Sequence, residues 1–412
     1  MDHKNFKETT LLNNIKDKFP VFNNKINGKN LVYLDSAASA QKPEVVINSI
    51  KSTYESQYAN VHRGIYYLSQ VATDAYENAR LKVRNFLNAA NTNEIIFTRG
   101  ATEGLNLIAN CLSNKFISTG DQVLISTLEH HSNIIPWQIS CKKKNAELVE
   151  IKPDANGDIS IEKIKTLISN KTKIIALPHI TNSIGSTLPI KEICQEAKKY
   201  NIITVVDGCQ SVPHIGVDVQ DLGCDFYVFS GHKIYGPSGI GVLYGKNSIL
   251  NELEPYQTGG EMIDIVSIQE ATYASLPHKF EAGTPNIVGA ISLGYALDFV
   301  QSIGMKNIEN HSKLLTSYLL DKIKLDNDII LLGEPKSRIS IVSFTCKNAH
   351  PHDLALLLDK RGIALRAGHH CAQPAMKYFK VETTLRASIG VYNNKEDIDF
   401  FLENLKDVKK YF

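Results

Sequence analysis

The sequence predicts an α/β protein with a mostly parallel, seven-stranded sheet, followed by a smaller α+β unit. Short apolar runs alternate with helical patterns between residues 94 and 244, which is typical of an α/β domain. The run Ile202–Val206 is continuous and β-branched, as expected for a strand buried on both faces. After Gly283-Thr284-Pro285 the pattern changes, and long helical stretches precede isolated strands.

The large domain is predicted to contain seven strands separated by helices. The predicted strands are Glu94–Thr98, Gln122–Ser126, Glu147–Ile151, Lys173–Pro178, Ile202–Val206, Phe226–Phe229 and Gly239–Tyr244. Predicted helices between them include Thr102–Leu112, Ile161–Ile168 and Ile190–Tyr200.

The remainder of the chain is predicted to form the small domain. Its predicted helices are Asn286–Ser302, Lys306–Ile323, Asp353–Arg361 and Lys395–Lys409, and its predicted strands are Arg338–Cys346, Ile363–Arg366 and Thr384–Ile389. We therefore expect a large domain over residues 35–285 and a small domain over residues 286–412. Residues 1–34 are too few to fold alone and are expected to pack on the small domain.

Composition excludes several classes of protein. The chain has 412 residues, and 45 Lys and Arg oppose 43 Asp and Glu, a net charge of +2 that gives no support for nucleic-acid or membrane-surface binding. No apolar run approaches the about 20 residues that span a bilayer. The seven cysteines are widely spaced, and MDHKNFKETT has no apolar signal-peptide core, so we expect a cytoplasmic protein without disulfides.

A lysine and an aspartate follow two neighbouring predicted strands. Asp207 comes directly after Ile202–Val206, and Lys233 lies shortly after Phe226–Phe229. A desolvated lysine becomes a nucleophilic amine, which pyridoxal phosphate enzymes use to hold their cofactor. These enzymes also need an acid opposite the pyridine nitrogen. Together the two residues suggest pyridoxal phosphate, although alone Asp207 would more often be a helix cap.

Two further loops could contribute to such a site. The segment 99–104 (RGATEG) lies between a strand and a helix, where backbone N–H groups bind phosphate and Thr102 offers a hydroxyl. A turn resembling a capping box is the alternative interpretation. The segment 128–133 contains His130, which could lie on a cofactor ring and transfer protons.

Cys371 differs from the other cysteines in its neighbourhood. It follows Arg366 and two histidines and has no apolar flank, and positive neighbours favour the thiolate form. A zinc site would use the same residue types, with His350 and His352 the only nearby additional ligands. The spacing does not fit zinc well, and we expect no metal.

These residues resemble those of class V pyridoxal phosphate enzymes of aminotransferase fold type I, and within them the SUF-type cysteine desulfurases. The motifs occur in the family's order along almost the whole chain. They are YLDSAASAQKP (33–43), NVHRGIYYLS (60–69), RGATEG (99–104), LEHHSNIIPWQ (128–138), VDGCQS (206–211), DFYVFSGHKIYGPSGIG (225–241), FEAGTPN (280–286) and RAGHHCAQP (366–374).

The resemblance implies a homodimeric enzyme that converts L-cysteine to L-alanine. Sulfur would pass to Cys371 as a persulfide and then to a small acceptor protein for iron–sulfur cluster assembly. Lys233 would hold the cofactor and move the α-proton, and His130 would stack on the ring. The other implied cofactor contacts are Asp207 at the pyridine nitrogen, Gln210 at the phenolic oxygen, and Thr102, Ser230 and His232 at the phosphate, with Thr284 from a partner subunit.

The resemblance also implies a substrate-binding set. Asn182 and Arg386 would bind the substrate carboxylate, and His62, Arg63 and Arg366 would line the site near Cys371. Ala101 stands at a cofactor-binding position where the family often has a hydroxyl residue, which leaves one phosphate contact open. Cys209 is a second thiol beside the cofactor or a core substitution.

Two alternatives remain open. Selenocysteine lyase, or another class V enzyme such as an aminotransferase, would keep the cofactor and change the reaction. Transamination does not use a nucleophilic thiol, so the presence of Cys371 distinguishes a desulfurase from an aminotransferase. A non-enzymatic metal-binding or scaffold protein is disfavoured because both Lys233 and Asp207 are present.

Overall fold

A computed structural model describes residue 12 and residues 14–412 of the chain. Its centre is a seven-stranded sheet in the order β4-β10-β9-β8-β7-β5-β6. The strands are β1 (Lys25–Ile26), β2 (Lys29–Asn30), β3 (Val32–Tyr33), β4 (Ile95–Thr98), β5 (Gln122–Ser126), β6 (Glu147–Ile151), β7 (Thr172–Pro178), β8 (Ile203–Asp207), β9 (Phe226–Ser230), β10 (Gly241–Gly245), β11 (Ile263–Val266), β12 (Ala271–Tyr273), β13 (Ile329–Leu331), β14 (Ile341–Cys346), β15 (Ile363–Ala364), β16 (Arg366–Gly368) and β17 (Thr384–Ser388).

Helices connect these strands and cover both faces of the central sheet. The α-helices are α1 (Glu44–Ser56), α2 (Tyr67–Leu87), α3 (Ala101–Phe116), α4 (Ile135–Lys144), α5 (Ile161–Leu167), α6 (Ile190–Lys199), α7 (Val219–Leu222), α8 (Asn247–Glu252), α9 (Ile287–Ile303), α10 (Met305–Ile323), α11 (Pro351–Asp359), α12 (Gln373–Tyr378) and α13 (Lys395–Val408).

The central sheet is parallel except at β10. That strand pairs antiparallel with both β4 and β9, whereas all pairs formed among β5, β6, β7, β8 and β9 are parallel. One apolar cluster packs one face of the sheet against α2, α6 and α9, and a second packs the other face against α3 and α4. Burial on both faces explains why the strands are continuous apolar runs. The predicted fold class is confirmed.

The C-terminal part contains a four-stranded antiparallel sheet in the order β13-β14-β17-β16. The predicted strand Arg338–Cys346 begins only at Ile341, because Ser340 adopts a left-handed backbone conformation with φ 62°. The predicted strand Ile363–Arg366 is two strands: β15 pairs in parallel with β3, whereas β16 pairs with β17.

The described N-terminal residues contact the C-terminal part of the chain. Besides the β3–β15 pair, Lys16 forms an ion pair of 2.7 Å with Asp397, and the ring of Phe19 packs edge-on against Tyr392. Phe19 also contacts Tyr235 of the large domain. The three domain boundaries stay predictions, and residues 1–11 and 13 of the N-terminal segment lie outside the described residues.

Within the described residues, no single helix combines the length and apolar character needed to cross a bilayer. Only α9 and α10 taken together meet those criteria, and they are bent by 75° at their junction.

Candidate active site

A cavity of about 180 Å³ lies at the carboxyl edge of the central sheet. Ligands bind at this edge in open α/β sheets, because loops follow the strand ends there. The cavity is lined by Ala37, Ala38, Ala101, Thr102, His130, Ser132, Asn182, Asp207, Cys209, Ser230, His232, Lys233, Arg366, His370, Cys371 and Arg386. The structure thus brings together most of the site residues predicted from the sequence.

Asp207 and Lys233 enter the cavity from neighbouring strands. Asp207 is the last residue of β8, and Lys233 ends the short 3-10 turn that follows β9. The Asp207 carboxylate is buried, and its Oδ1 atom accepts a hydrogen bond of 2.9 Å from the backbone N–H of Cys209. The strand ends therefore fix a carboxylate and an amine on one small cavity.

The N-terminus of α3 faces the same cavity. The Ala101 N–H donates a hydrogen bond of 2.8 Å to Ser230 Oγ, and the hydroxyls of Thr102 and Ser132 lie 2.8 Å apart. The backbones meet closely here, since a Cβ on Gly241 would lie 2.5 Å from the Gly100 Cα. The first N–H groups of a 16-residue helix, with hydroxyls beside them, suit a phosphate.

Two cavity histidines are neutral near pH 7. Burial, followed by the charge of Lys233, lowers the pKa of His130 to about 4. The same causes, in the same order, lower the pKa of His232 to about 4. His130 Nδ1 accepts a hydrogen bond of 3.1 Å from the Ser132 N–H, so its ring orientation is fixed.

Arg386, from β17, and Asn182 lie together in the lining of the cavity. Arg386 Nη1 donates to the Asn182 carbonyl at 3.0 Å, and Asn182 Nδ2 donates to the His370 carbonyl at 2.7 Å. Burial lowers the pKa of Arg386 to about 10, so the side chain stays charged. Arg386 Nε and Asn182 Oδ1 are buried without a hydrogen-bond partner. A bound carboxylate would supply the acceptor that Arg386 Nε lacks.

Cys371 lies on a tight loop between β16 and α12. Both His370 and Cys371 have a left-handed backbone with φ 54°. The Cys371 N–H donates to His369 Nδ1 at 3.2 Å, and the Cys371 carbonyl accepts a hydrogen bond of 2.8 Å from the His131 N–H. The thiol is half-buried, whereas the other six cysteines are buried.

Four predicted site residues are outside the lining of this cavity. Gln210 is buried beside it and donates through Nε2 to the Ala37 carbonyl at 2.8 Å. His62 and Arg63 lie among acidic side chains elsewhere, and Thr284 lines a different cavity of about 270 Å³. The predicted role of Thr284 requires a second copy of the chain, and the roles of all four stay predictions.

Asp35 is a site residue that the sequence analysis did not single out. Its Oδ1 atom lies 3.3 Å from both Arg386 Nη2 and Arg366 Nε, so it orients the two arginines. It stands in the quoted motif 33–43, but nothing in the local sequence connects it with arginines more than 300 residues away.

The cavity has the groups that pyridoxal phosphate requires. Lys233 would supply the amine, Asp207 the acid for the pyridine nitrogen, and the start of α3 with Ser230 the phosphate donors. These residues would hold the cofactor, and Arg386, which lines the same cavity, would offer a positive charge to a carboxylate substrate.

Comparison with known proteins agrees with this geometry. Residues 32–401 match the family model "Aminotransferase class-V", so the chain belongs to that family. Pyridoxal phosphate is the cofactor of such enzymes, and the prediction of this cofactor is confirmed.

Within that family, the chain is similar to cysteine desulfurases. It is 49% identical over 398 residues to a probable cysteine desulfurase of Halalkalibacterium halodurans, with 97% of this chain and 98% of the relative covered. A probable cysteine desulfurase of Staphylococcus epidermidis is 46% identical, with 97% and 96% covered. The crystal structure of the cysteine desulfurase CsdA (S-sulfonic acid) from Escherichia coli is 35% identical with a TM-score of 0.91, and 97% and 99% of the two chains are covered.

Proposed function

We propose that this chain is a cysteine desulfurase that converts L-cysteine to L-alanine and takes up the sulfur on Cys371 as a persulfide. The observation that carries the proposal is that Cys371 and Lys233 line the same small cavity. A thiol beside the cofactor-holding amine distinguishes a sulfur-transfer enzyme from an aminotransferase, which has no use for it.

The two ends of the cavity suggest how L-cysteine binds. Its carboxylate would pair with Arg386, whose buried Nε atom lacks an acceptor, and with Asn182 beside it. The substrate α-carbon would then lie near Lys233. Arg386 is held by Asp35 at 3.3 Å, so the arginine is already positioned before substrate arrives.

Pyridoxal phosphate, when bound, supplies a ring that stabilises negative charge on substrate carbon. The carboxylate of Asp207 would keep the pyridine nitrogen protonated. The Lys233 amine would take the proton from the substrate α-carbon and deliver it again later. His130 is neutral, because burial and Lys233 lower its pKa to about 4, and would assist proton transfer above the ring.

Cys371 would act as the nucleophile toward sulfur. Its thiolate attacks the sulfur of the substrate, the Sγ–S bond forms, and the Cβ–S bond breaks. The electron pair of the broken bond stays with the substrate carbon, which is protonated to give alanine. The persulfide on Cys371 is a reversible form of a reactive thiol, so the sulfur remains transferable.

The half-buried position of Cys371 supports transfer of this sulfur to another protein. We propose a small acceptor protein of the SUF system and a role in iron–sulfur cluster assembly in the cytoplasm. A homodimer would bring Thr284 of one subunit to the phosphate of the other. Selenocysteine lyase activity is the alternative, and L-selenocysteine in the assay below tests it.

The test is to incubate the holoenzyme with L-cysteine, measure alanine, and map persulfides by alkylation and mass spectrometry. We expect one persulfide, on Cys371. Cys371→Ala should lose alanine and sulfide production while it keeps the visible absorption of the bound cofactor. Cys346→Ala, which removes a buried thiol of the small domain, is the matched control. A native rate in Cys371→Ala, or a persulfide on Cys209 instead, would overturn the proposal.

A further inference from the structure

Two histidines and a glutamate come together outside the active-site cavity. We propose that His62, Glu77 and His278 form a binding site for a divalent transition metal of the zinc type. One possible ligand atom from each of the three lies within 4.8 Å of the others, and all three side chains are half-buried. This site does not depend on the function proposed above.

Three separate elements build the cluster. His62 lies in the loop before α2, Glu77 lies on α2, and His278 begins a 3-10 turn over His278–Phe280. His62 Nε2 is 3.0 Å from Glu77 Oε1, and the two imidazole rings are 4.7 Å apart between centroids. Ligands of a tetrahedral zinc ion lie about 3–4 Å from one another, so small side-chain shifts would complete the site.

Charged neighbours already orient two of the three ligands. Arg80 donates from Nε to Glu77 Oε2 at 2.9 Å and from Nη2 to Glu77 Oε1 at 3.2 Å. Glu261 Oε2 lies 4.0 Å from His62 Nδ1, on the opposite side of the ring from Glu77. A carboxylate behind a histidine ligand is the usual arrangement that fixes the ring of a metal-binding imidazole.

The charges around the cluster are not balanced. Three carboxylates face it, from Glu77, Glu261 and Glu281, and two guanidinium groups, from Arg63 and Arg80. A bound dication would be attracted to this excess of negative charge. Imidazole ligands favour zinc over magnesium, which prefers an all-oxygen shell with water.

The sequence offered no signal for this site. His62 and Glu77 are 15 residues apart, which is not a ligand spacing of any common zinc motif. His278 is distant along the chain and joins them only through the tertiary fold.

The test uses Zn²⁺ alone and a Cys371→Ala holoenzyme, which removes the accessible thiol as a competing ligand. Metal-stripped protein is titrated with Zn²⁺ against a colorimetric chelator, and Mg²⁺ is titrated for comparison. We expect one equivalent of Zn²⁺ to bind and Mg²⁺ not to compete. His278→Gln and Glu77→Gln in the same background should each weaken Zn²⁺ binding by at least about tenfold.

His352→Gln is the matched control, because it removes an imidazole from the stacked pair His350–His352 elsewhere on the surface. It should leave the first equivalent of Zn²⁺ unchanged. Circular dichroism reports whether each variant is folded, and if one of the two ligand variants is not, the other decides. Unchanged Zn²⁺ affinity in a folded ligand variant, or no Zn²⁺ bound by the Cys371→Ala protein, would refute the metal site.

Discussion

The active-site cavity has a cofactor end, with Asp207 and Lys233, and a sulfur end, with Cys371, and the two ends are built in different ways. Asp207 ends β8, and Lys233 ends the short turn that follows β9, and both strands are buried in the middle of the central sheet. Cys371 lies on a loop with two successive left-handed residues. Two hydrogen bonds tie this part of the chain to His131: the His131 N–H donates to the Cys371 carbonyl, and the Gln373 N–H donates to His131 Nε2. The cofactor end is thus part of the core, whereas the sulfur end is carried by a surface loop.

This difference fits the two tasks. The cofactor must be held in one orientation for every step, and strand ends position side chains more precisely than loops do. In the proposed reaction the sulfur on Cys371 is passed to another protein, and a half-buried thiol on a loop suits that transfer. Substitutions at the two ends should therefore affect different measurements.

The largest effect is expected for Lys233→Ala. Loss of the amine removes both the covalent attachment of the cofactor and the group that moves the α-proton, so alanine formation should fall by at least about 10³-fold. Borohydride reduction followed by peptide mapping should find no cofactor adduct in the variant and an adduct on Lys233 in the native enzyme. Lys191→Ala, which removes an exposed lysine paired with Asp221, is the control. An adduct on any other lysine would contradict the assignment.

Asp207→Asn should have the next largest effect. The amide keeps the shape and the contact with the Cys209 N–H but removes the negative charge opposite the pyridine nitrogen. We expect kcat for alanine formation to fall by about 10²-fold, by analogy with the loss of other preorganised electrostatic groups, while the fold is retained. Native turnover in a folded Asp207→Asn enzyme would show that the carboxylate does not act on the cofactor.

Asp35→Asn tests the part of the cavity where Arg366 and Arg386 lie, which is the proposed binding place of the substrate carboxylate. The variant weakens the charged contacts that hold Arg366 and Arg386, and a hydrogen bond to a charged group contributes about 1.5–3 kcal/mol. We expect KM for L-cysteine to rise by about tenfold or more, with a smaller change in kcat. Steady-state kinetics separates the two constants, and a loss confined to kcat would argue against a role in carboxylate binding.

The smallest effect concerns stability below neutral pH. His179 is buried beneath the cofactor end, its N–H donates to the Asp207 carbonyl at 2.9 Å, and burial lowers its pKa to about 4. The unfolded chain takes up this proton first as the pH falls below about 6.5, so stability is lost between about pH 6.5 and 4.

Denaturant unfolding at pH 6.5 and 5.5 measures this effect. His179→Gln removes the titrating group, and we expect the native enzyme to lose about 1 kcal/mol more than the variant over that interval. Equal losses in the two proteins would show that His179 does not contribute to the acid sensitivity of the cofactor end.

The cofactor end was also the easier end to predict from sequence. Each of its strands is an apolar run followed at once by a polar residue, so Asp207 could be placed at a sheet edge without further information. The class of protein, the cofactor and the seven strands followed from such local patterns and from the motifs. The bounds of β5 and β6 agree to the residue.

The features of the fold and the site that were not predicted depend largely on contacts between residues far apart in the sequence. The helix α2 was not predicted, and its first two residues, Tyr67 and Leu68, are exposed apolar side chains that interrupt its amphipathic pattern. The split of β15 and β16 depends on β3, which pairs with one of them only after the ends of the chain meet. Asp35 and the His131–Cys371 contact are long-range in the same way.

The bridge from Asp35 to Arg386 has a consequence for how the enzyme is made. The two residues are separated by 351 positions, so the carboxylate leaves the ribosome long before its arginine is synthesised. At about 5–20 residues per second the interval is roughly 20–70 s. A nascent polypeptide that already contains the seven strands of the central sheet still lacks Arg386, the proposed anchor of the substrate carboxylate. The proposed substrate site is therefore complete only when synthesis is nearly finished.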